Sequence, residues 1–443
     1  MKRLLFLLFL LVPPMLIASD GSATSRRESS RMRETIRATD LLSLRTIREV
    51  SVDPAGRFAV ISIEQFVPGD EVGETLRPGD HEIRSHLHLV DLRDPDAPPV
   101  QLTFGARNDG SPRVSPDGTR LAFVRSAEDE DDEGKKRSQV WLLPLEGGGE
   151  ARLLTDLEHG ASSPCWSPDG RQLVVETRIP LTELVESDGP TSWDAGRIGR
   201  PPSTPASGRD DAGTPNGSIQ EIRAWLDRNS DDRTPRLIES LDFLGEREVE
   251  EQRLLRQLLL VEVDAAAKPR RLGRGAVDRC DAAFTMDGSA VVMVVAGGDR
   301  APDRVVDSRL EIVDLDRPES PRTLFDPEGW RVSDPRPGPD GSLIAFRAQQ
   351  TDEPGYRGHR IGLVPTAGGD PIWATDGEWQ SVDRFRWGHD PATVLFTARH
   401  EGAISFHTAS PATLQPVAHE RWREGLPLQV HDFDLAEGRT VWI

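Results

Sequence analysis

Apolar residues in this chain fall in short runs and alternating stretches rather than at helical spacing. The run Leu121-Ala-Phe-Val124 is apolar on consecutive residues, which predicts a strand covered on both faces. Directly ahead of it stands Ser115-Pro-Asp-Gly118. Ser suits the first position of a type I turn, Pro supplies a φ near about −65°, and Gly permits the swing to positive φ. With Pro112 to Val114 before the turn, the pattern predicts a tight antiparallel hairpin.

Copies of this hairpin recur along the chain. Asp53-Pro-Ala-Gly56 takes the turn position in the first, Ser167-Pro-Asp-Gly170 in the third, Thr285-Met-Asp-Gly288 in the fourth and Gly338-Pro-Asp-Gly341 in the fifth. A weaker sixth runs from Arg386 to Thr397, and a seventh from Asp432 to Ile443. Between copies lies a second signature, an alternating strand and then a short one: His86 to Leu92 leads to Pro99–Phe104, Gln139 to Leu145 leads to Ala151–Thr155, Leu258 to Val263 leads to Pro269–Leu272, and Arg309 to Leu315 leads to Pro321–Phe325.

Each repeat thus supplies about four strands every 50 or so residues, with no periodic helices between, a spacing that predicts a radial β-propeller. The expected fold is all-β: a seven-bladed propeller of four-stranded antiparallel blades, the last blade incomplete at Ile443. Gly170 and Gly288 stand about twice the usual step apart, so one blade carries an insertion, assigned to 178–235. Its first half, Ser187 to Ser218, is rich in Gly, Pro, Ser and Thr and reads as a surface loop or a disordered segment. A short helix is expected near Ile219 to Asn229, and the sheet is expected to resume at Pro235.

Composition narrows the function classes. A formal charge of −20 and the lack of a Lys/Arg cluster argue against a nucleic-acid partner. Lys2-Arg3 followed by the apolar run Leu4 to Val12 has the pattern of a secretory signal, with small residues for cleavage between Ala18 and Ala23. Residues 1–23 therefore read as a signal peptide, 24–37 as a mobile leader and 38–443 as the propeller, with a periplasmic or secreted location and no membrane span after signal removal. Export permits a disulfide between the only two cysteines, Cys165 and Cys280, though unpaired thiols remain the favoured reading.

The repeat turn, the alternating strand ending in Val-Asp-Leu and the short Pro-Arg-x-Leu strand resemble the WD40-like propeller repeats of TolB and of the prolyl oligopeptidase family of serine peptidases. Ala38-Thr-Asp-Leu-Leu-Ser-Leu-Arg-Thr-Ile47 and Arg236-Leu-Ile-Glu-Ser-Leu-Asp-Phe-Leu-Gly-Glu-Arg247 bring the second likeness closer, to its acylaminoacyl-peptidase-like members. That resemblance implies a propeller that filters peptides for an α/β-hydrolase domain holding Ser, Asp and His. The hydrolase domain is expected to be absent from this chain, whose sequence contains no Gly-x-Ser-x-Gly elbow. Gly160-Ala-Ser162-Ser-Pro164 comes nearest, with Pro in place of the second Gly. The chain is expected to be inactive alone, with no catalytic, cofactor or metal residues and with peptides or a protein as partner. The alternative is a stand-alone TolB-like binding module, which requires residues near Ala38 to complete the last blade. Oligomeric state is not legible.

Four further motifs read as structure. His86 and His88 share a strand face but lack a third ligand. Glu128 to Glu133 lacks the spacing of a Ca²⁺ loop, Gly147-Gly-Gly149 is a turn, and Glu246, Glu248, Glu250 and Glu251 match poorly the paired glutamates with which some dipeptidyl peptidases of the resembled family grip an amino terminus.

Overall fold

The structure is a computed structural model that describes residues 38–68, 81–94, 96–126, 137–188, 216–228, 254–265, 267–296, 307–351, 358–375, 381–388, 393–400, 403–409, 417–418, 432–436 and 439–442. The leader, the acidic run 128–133, the strand expected from Pro235 and the glutamates at 246–251 lie outside the described residues.

Six four-stranded antiparallel sheets follow one another along the chain. Blade 1 comprises β1 (Arg45–Val52), β2 (Phe58–Pro68), β3 (His81–Asp91) and β4 (Val100–Gln101). Blade 2 comprises β5 (Asp109–Val114), β6 (Arg120–Arg125), β7 (Gln139–Pro144) and β8 (Arg152–Leu153). Blade 3 comprises β9 (Ser162–Trp166), β10 (Gln172–Pro180), β11 (Leu254–Glu262) and β12 (Arg270–Arg271). Two helices, α1 (Leu181–Asp188) and α2 (Ile219–Arg228), stand between β10 and β11. Blade 4 comprises β13 (Arg279–Phe284), β14 (Ala290–Ala296), β15 (Ser308–Asp314) and β16 (Arg322–Phe325). Blade 5 comprises β17 (Trp330–Pro337), β18 (Leu343–Gln350), β19 (Arg360–Pro365) and β20 (Ile372–Trp373). Blade 6 comprises β21 (Ser381–Trp387), β22 (Val394–His400), β23 (Ala403–Ala409) and β24 (Val417–Ala418).

The expectation of seven four-stranded blades is overturned. Residues from Phe433 form only a two-stranded sheet, β25 (Phe433–Ala436) with β26 (Arg439–Trp442). The repeat turn encodes a hairpin, and counting turns therefore overcounts blades: a blade also needs the alternating strand and the short outer strand, and neither pairs with this hairpin among the described residues. Residues near Ala38 do not complete it either, because Ala38–Ser43 is a 3-10 turn and β1 belongs to blade 1.

The second strands are apolar on both faces because each is covered by two neighbours. Leu121 and Phe123 of β6 pack towards blade 1 with Val60 and Leu87, whereas Ala122, between them, packs towards blade 3 with Leu173 and Val175. Similar cores join blades 3 to 4, 4 to 5 and 5 to 6. Cys165 and Cys280 are both free thiols. Cys165 packs in the core between blades 3 and 4 and Cys280 in that between 4 and 5, on opposite sides of blade 4.

The repeat turn is closed by the same backbone bond in every blade. The backbone N–H of Asp53, Ser115, Ser167, Thr285, Gly338 and Gly388 donates to the carbonyl five residues on. In blade 2, Asp117 Oδ1 accepts from Ser115 Oγ at 2.5 Å and from Thr119 N at 3.0 Å, while Gly118 takes φ 73°. That φ is the one glycine adopts without steric cost. All these turns mark one end of the ring, the turn face. Each first strand runs towards it from the other end, the loop face, where second strands pass to third ones.

Candidate functional site

Because the turn bond falls at the same place in six blades, it aligns the innermost strands residue by residue. Two positions before it lie Ser51, Arg113, Cys165, Ala283, Arg336 and Arg386, and four positions before it lie Glu49, Ser111, Ser163, Asp281, Asp334 and Arg384. The closing hairpin joins both levels. Asp434 Oδ2 accepts the Val52 N–H at 2.9 Å, next to the first level, and Asp432 Oδ2 accepts the Val50 N–H at 3.4 Å, next to the second.

The second level is where the strands are irregular. Ser111, Ser163, Asp281 and Asp334 all have φ of 50° or 51°, a left-handed conformation that costs an L-residue about 1 kcal/mol or more. Each sits in a β-bulge of its innermost strand. Ser and Asp tolerate this geometry better than branched residues do. Repetition in four consecutive blades makes it part of the fold, and it turns four polar side chains out of the regular ladder at one height of the ring.

Ion pairs connect the levels. Arg336 pairs with Asp334 at 2.9 Å, Arg113 with Glu49 at 3.7 Å, and Arg386 with Asp434 at 3.5 Å and Asp432 at 3.9 Å. Asp281 accepts the Asp334 N–H at 3.0 Å, linking blades 4 and 5. Indole N–H groups add stitches near the turn face, from Trp166 to the Arg113 carbonyl at 2.9 Å and from Trp387 to the Arg336 carbonyl at 2.7 Å.

These groups feel one another across blades. Arg336, on blade 5, interacts electrostatically with Asp434 of the hairpin, as expected for side chains converging on a central channel. Burial, reinforced by the neighbouring Arg336 guanidinium, pushes the Arg386 pKa down to about 10. Burial works against the Asp334 carboxylate, yet the Arg336, Arg386 and Arg347 guanidiniums hold its pKa below the ordinary carboxylate range. The Arg336 side chain is nevertheless 33% exposed and Asp334 25%, so the cluster keeps contact with solvent through the channel.

The channel does not supply an activated thiol. Burial raises the Cys165 pKa, and the Cys280 thiol is raised by burial and by the nearby Asp281 carboxylate. Ser162 and Ser163 of the nearest elbow-like sequence enter β9 rather than a helix, and Ser162 Oγ donates to the Glu176 carbonyl at 3.4 Å. His86 and His88 share the regular alternation of β3, and burial lowers the pKa of both. Among the described residues, no group of three or more His, Cys, Asp or Glu is placed to hold a metal ion. Gly147, Gly148 and Gly149 form the turn after β7, all at positive φ.

Sequence reasoning singled out Cys165 and the stretch containing Ser163 for other reasons, but none of the charged channel residues. The usable signal was the fixed offset: Ser, Ser, Asp and Asp stand four places before the turn position in blades 2 to 5.

Comparison with known proteins gives a propeller and a peptidase likeness. No family model matches the chain. A stretch of 96 residues, 22% of this chain, is 36% identical to a Bacillus subtilis protein described as an uncharacterized peptidase, of which it covers 14%. The fold resembles that of Pyrococcus horikoshii acylaminoacyl peptidase, with a TM-score of 0.57 at 12% identity over 91% of this chain. The chain spans about half of that peptidase, 49% of its length. TolB from Acinetobacter baumannii is similar more loosely, with a TM-score of 0.43 at 14% identity over 85% of this chain and 63% of TolB.

Proposed function

We propose that this chain is the propeller of an exported serine peptidase of the prolyl oligopeptidase type, and that it admits short or unfolded peptides to a hydrolase domain while excluding folded proteins by size. The observation that carries this reading is the 36% identity, over 96 residues, with a protein described as an uncharacterized peptidase, together with a fold that matches acylaminoacyl peptidase over 91% of the chain. A likeness of fold alone would not choose among the many activities propellers serve.

The polar channel suits the proposed role. An extended peptide carries unpaired N–H and C=O groups, and a channel lined by carboxylates, guanidiniums and hydroxyls offers them partners where an apolar one would impose a desolvation cost. Strand β1 starts from the loop face and β26 runs back towards it, since Trp442 pairs with Phe433 at the start of β25. A domain joined at either end therefore meets the loop face first. Export is part of the proposal and draws on Lys2-Arg3 and the run Leu4 to Val12. Among the described residues, no helix is long and apolar enough to cross a membrane.

Fluorophosphonate labelling tests the division of labour. The purified chain should remain unlabelled and show no peptidase activity. Labelling of a single serine would place the nucleophile on this chain and overturn the reading of the propeller as the non-catalytic part.

A further inference from the structure

The two levels of the channel differ in charge. Nearer the loop face, Glu49, Asp281, Asp334 and Asp432 stand against one guanidinium, Arg384. Nearer the turn face, Arg113, Arg336 and Arg386 stand against one carboxylate, Asp434. Two residues of strand separate the levels, or about 7 Å at the usual rise. The channel is thus polarised along its axis, with an acidic ring towards the loop face and a basic ring towards the turn face.

The basic ring has donors to spare. A guanidinium offers five N–H groups in a planar fork suited to a carboxylate. Arg336 places one nitrogen on Asp334, while its enclosed Nε has no hydrogen-bond partner among the described residues. The Arg336 side chain as a whole is 33% exposed and so stays open to the channel. Arg386, beside it, spends its own donors on Asp434, Asp432 and the Phe385 carbonyl.

We infer that the arginine ring of Arg113, Arg336 and Arg386 binds the free C-terminal carboxylate of a short peptide in the channel, with the peptide's amino end directed to the acidic ring and the loop face. This rests on the reading of the channel as a peptide passage and adds the chemistry and polarity of that passage. The acidic ring complements the orientation, because a terminal ammonium is favoured beside Glu49, Asp281 and Asp334 and disfavoured beside the arginines. An extended dipeptide spans about 7 Å, the scale of the gap between the rings, whereas capping either end removes half of the match.

The test is calorimetric titration of the purified chain with dialanine as the free acid and as the C-terminal amide. The free acid should bind about tenfold more tightly, and the difference should shrink as ionic strength rises. Arg336→Gln should erase the preference, and Arg336→Lys should retain part of it. Arg93→Gln, which removes an exposed partner of Asp91 away from the channel, should leave it intact. Circular dichroism of each variant checks the fold. Equal affinity for acid and amide would overturn the carboxylate site while leaving peptide passage standing. Failure of both peptides to bind would overturn the peptide reading itself, and an unchanged preference in a folded Arg336→Gln protein would remove Arg336 from the site.

Discussion

The core between blades 4 and 5 and the seam between the closing hairpin and blade 1 do the same job with different physics. In the first, Val292, Val332, Ile344 and Phe346 are fully or almost fully buried, Trp330 stacks on Trp373 with ring centroids 4.7 Å apart, and Phe325 meets Phe346 at 5.3 Å. Gly362 faces Phe346 across the sheet, and a Cβ there would strike the ring. In the second, Phe433 is buried, but the junction also depends on two carboxylates that accept backbone N–H groups of β1 and pair with Arg386 of blade 6. Apolar contact is non-directional and scales with area, whereas the seam relies on a few directional bonds of about 1–3 kcal/mol each. The ring is therefore expected to be strongest between full blades and to open first at the hairpin.

Phe346→Ala should produce the largest effect, since it empties the centre of the apolar interface and removes contact with Phe325 and Trp373. A loss of about 3–5 kcal/mol is expected, read as a lower urea midpoint. A loss below about 1 kcal/mol would mean the interface is not a close-packed core.

Asp434→Asn should act locally. It removes the charge that accepts the Val52 N–H and pairs with Arg386, at a cost of about 1–2 kcal/mol. Amide exchange at Val50 and Val52 should quicken while exchange in β14 and β18 stays unchanged. Equal quickening throughout would show that the seam and the blade cores unfold as one unit.

The smallest effect belongs to the turns. Hydrogen bonds from Thr285 Oγ1 and from Ser289 hold the Asp287 carboxyl below its ordinary pKa of 3.8. A carboxylate with a depressed folded-state pKa adds stability above its unfolded value, and that contribution disappears as pH falls through the folded one. Asp287→Asn should therefore slightly lower stability at neutral pH and flatten the acid limb of the stability curve below about pH 4. The same slope in both proteins would show that the turn does not contribute to acid lability.

Much of the ring was legible in the chain because its information is local. Ser115-Pro-Asp-Gly118 and its copies contain the donors, the acceptor and the positive-φ residue that each turn needs, and the runs after them mark strands covered twice. The blade count was not legible, because Asp432 to Ile443 contains a good hairpin, and whether a hairpin becomes a blade depends on strands elsewhere. The channel was hidden for a different reason. Nothing in Ser111 or Asp334 taken singly announces a left-handed bulge, and the charge pattern emerges only when six strands are aligned by their turn bonds. Cys165 and Cys280 show the same limit, since they occupy neighbouring first strands yet face different inter-blade cores.

The proposed function requires that peptides enter the channel formed by the innermost strands. Hydrogen exchange followed by mass spectrometry, with and without a saturating short unstructured peptide, tests it most directly. Entry predicts added protection in β5, β9, β13 and β17 around Arg113, Ser163, Asp281 and Arg336, with the outer strands β8, β16 and β20 unchanged. Protection confined to the outer strands, or none at saturation, would contradict it.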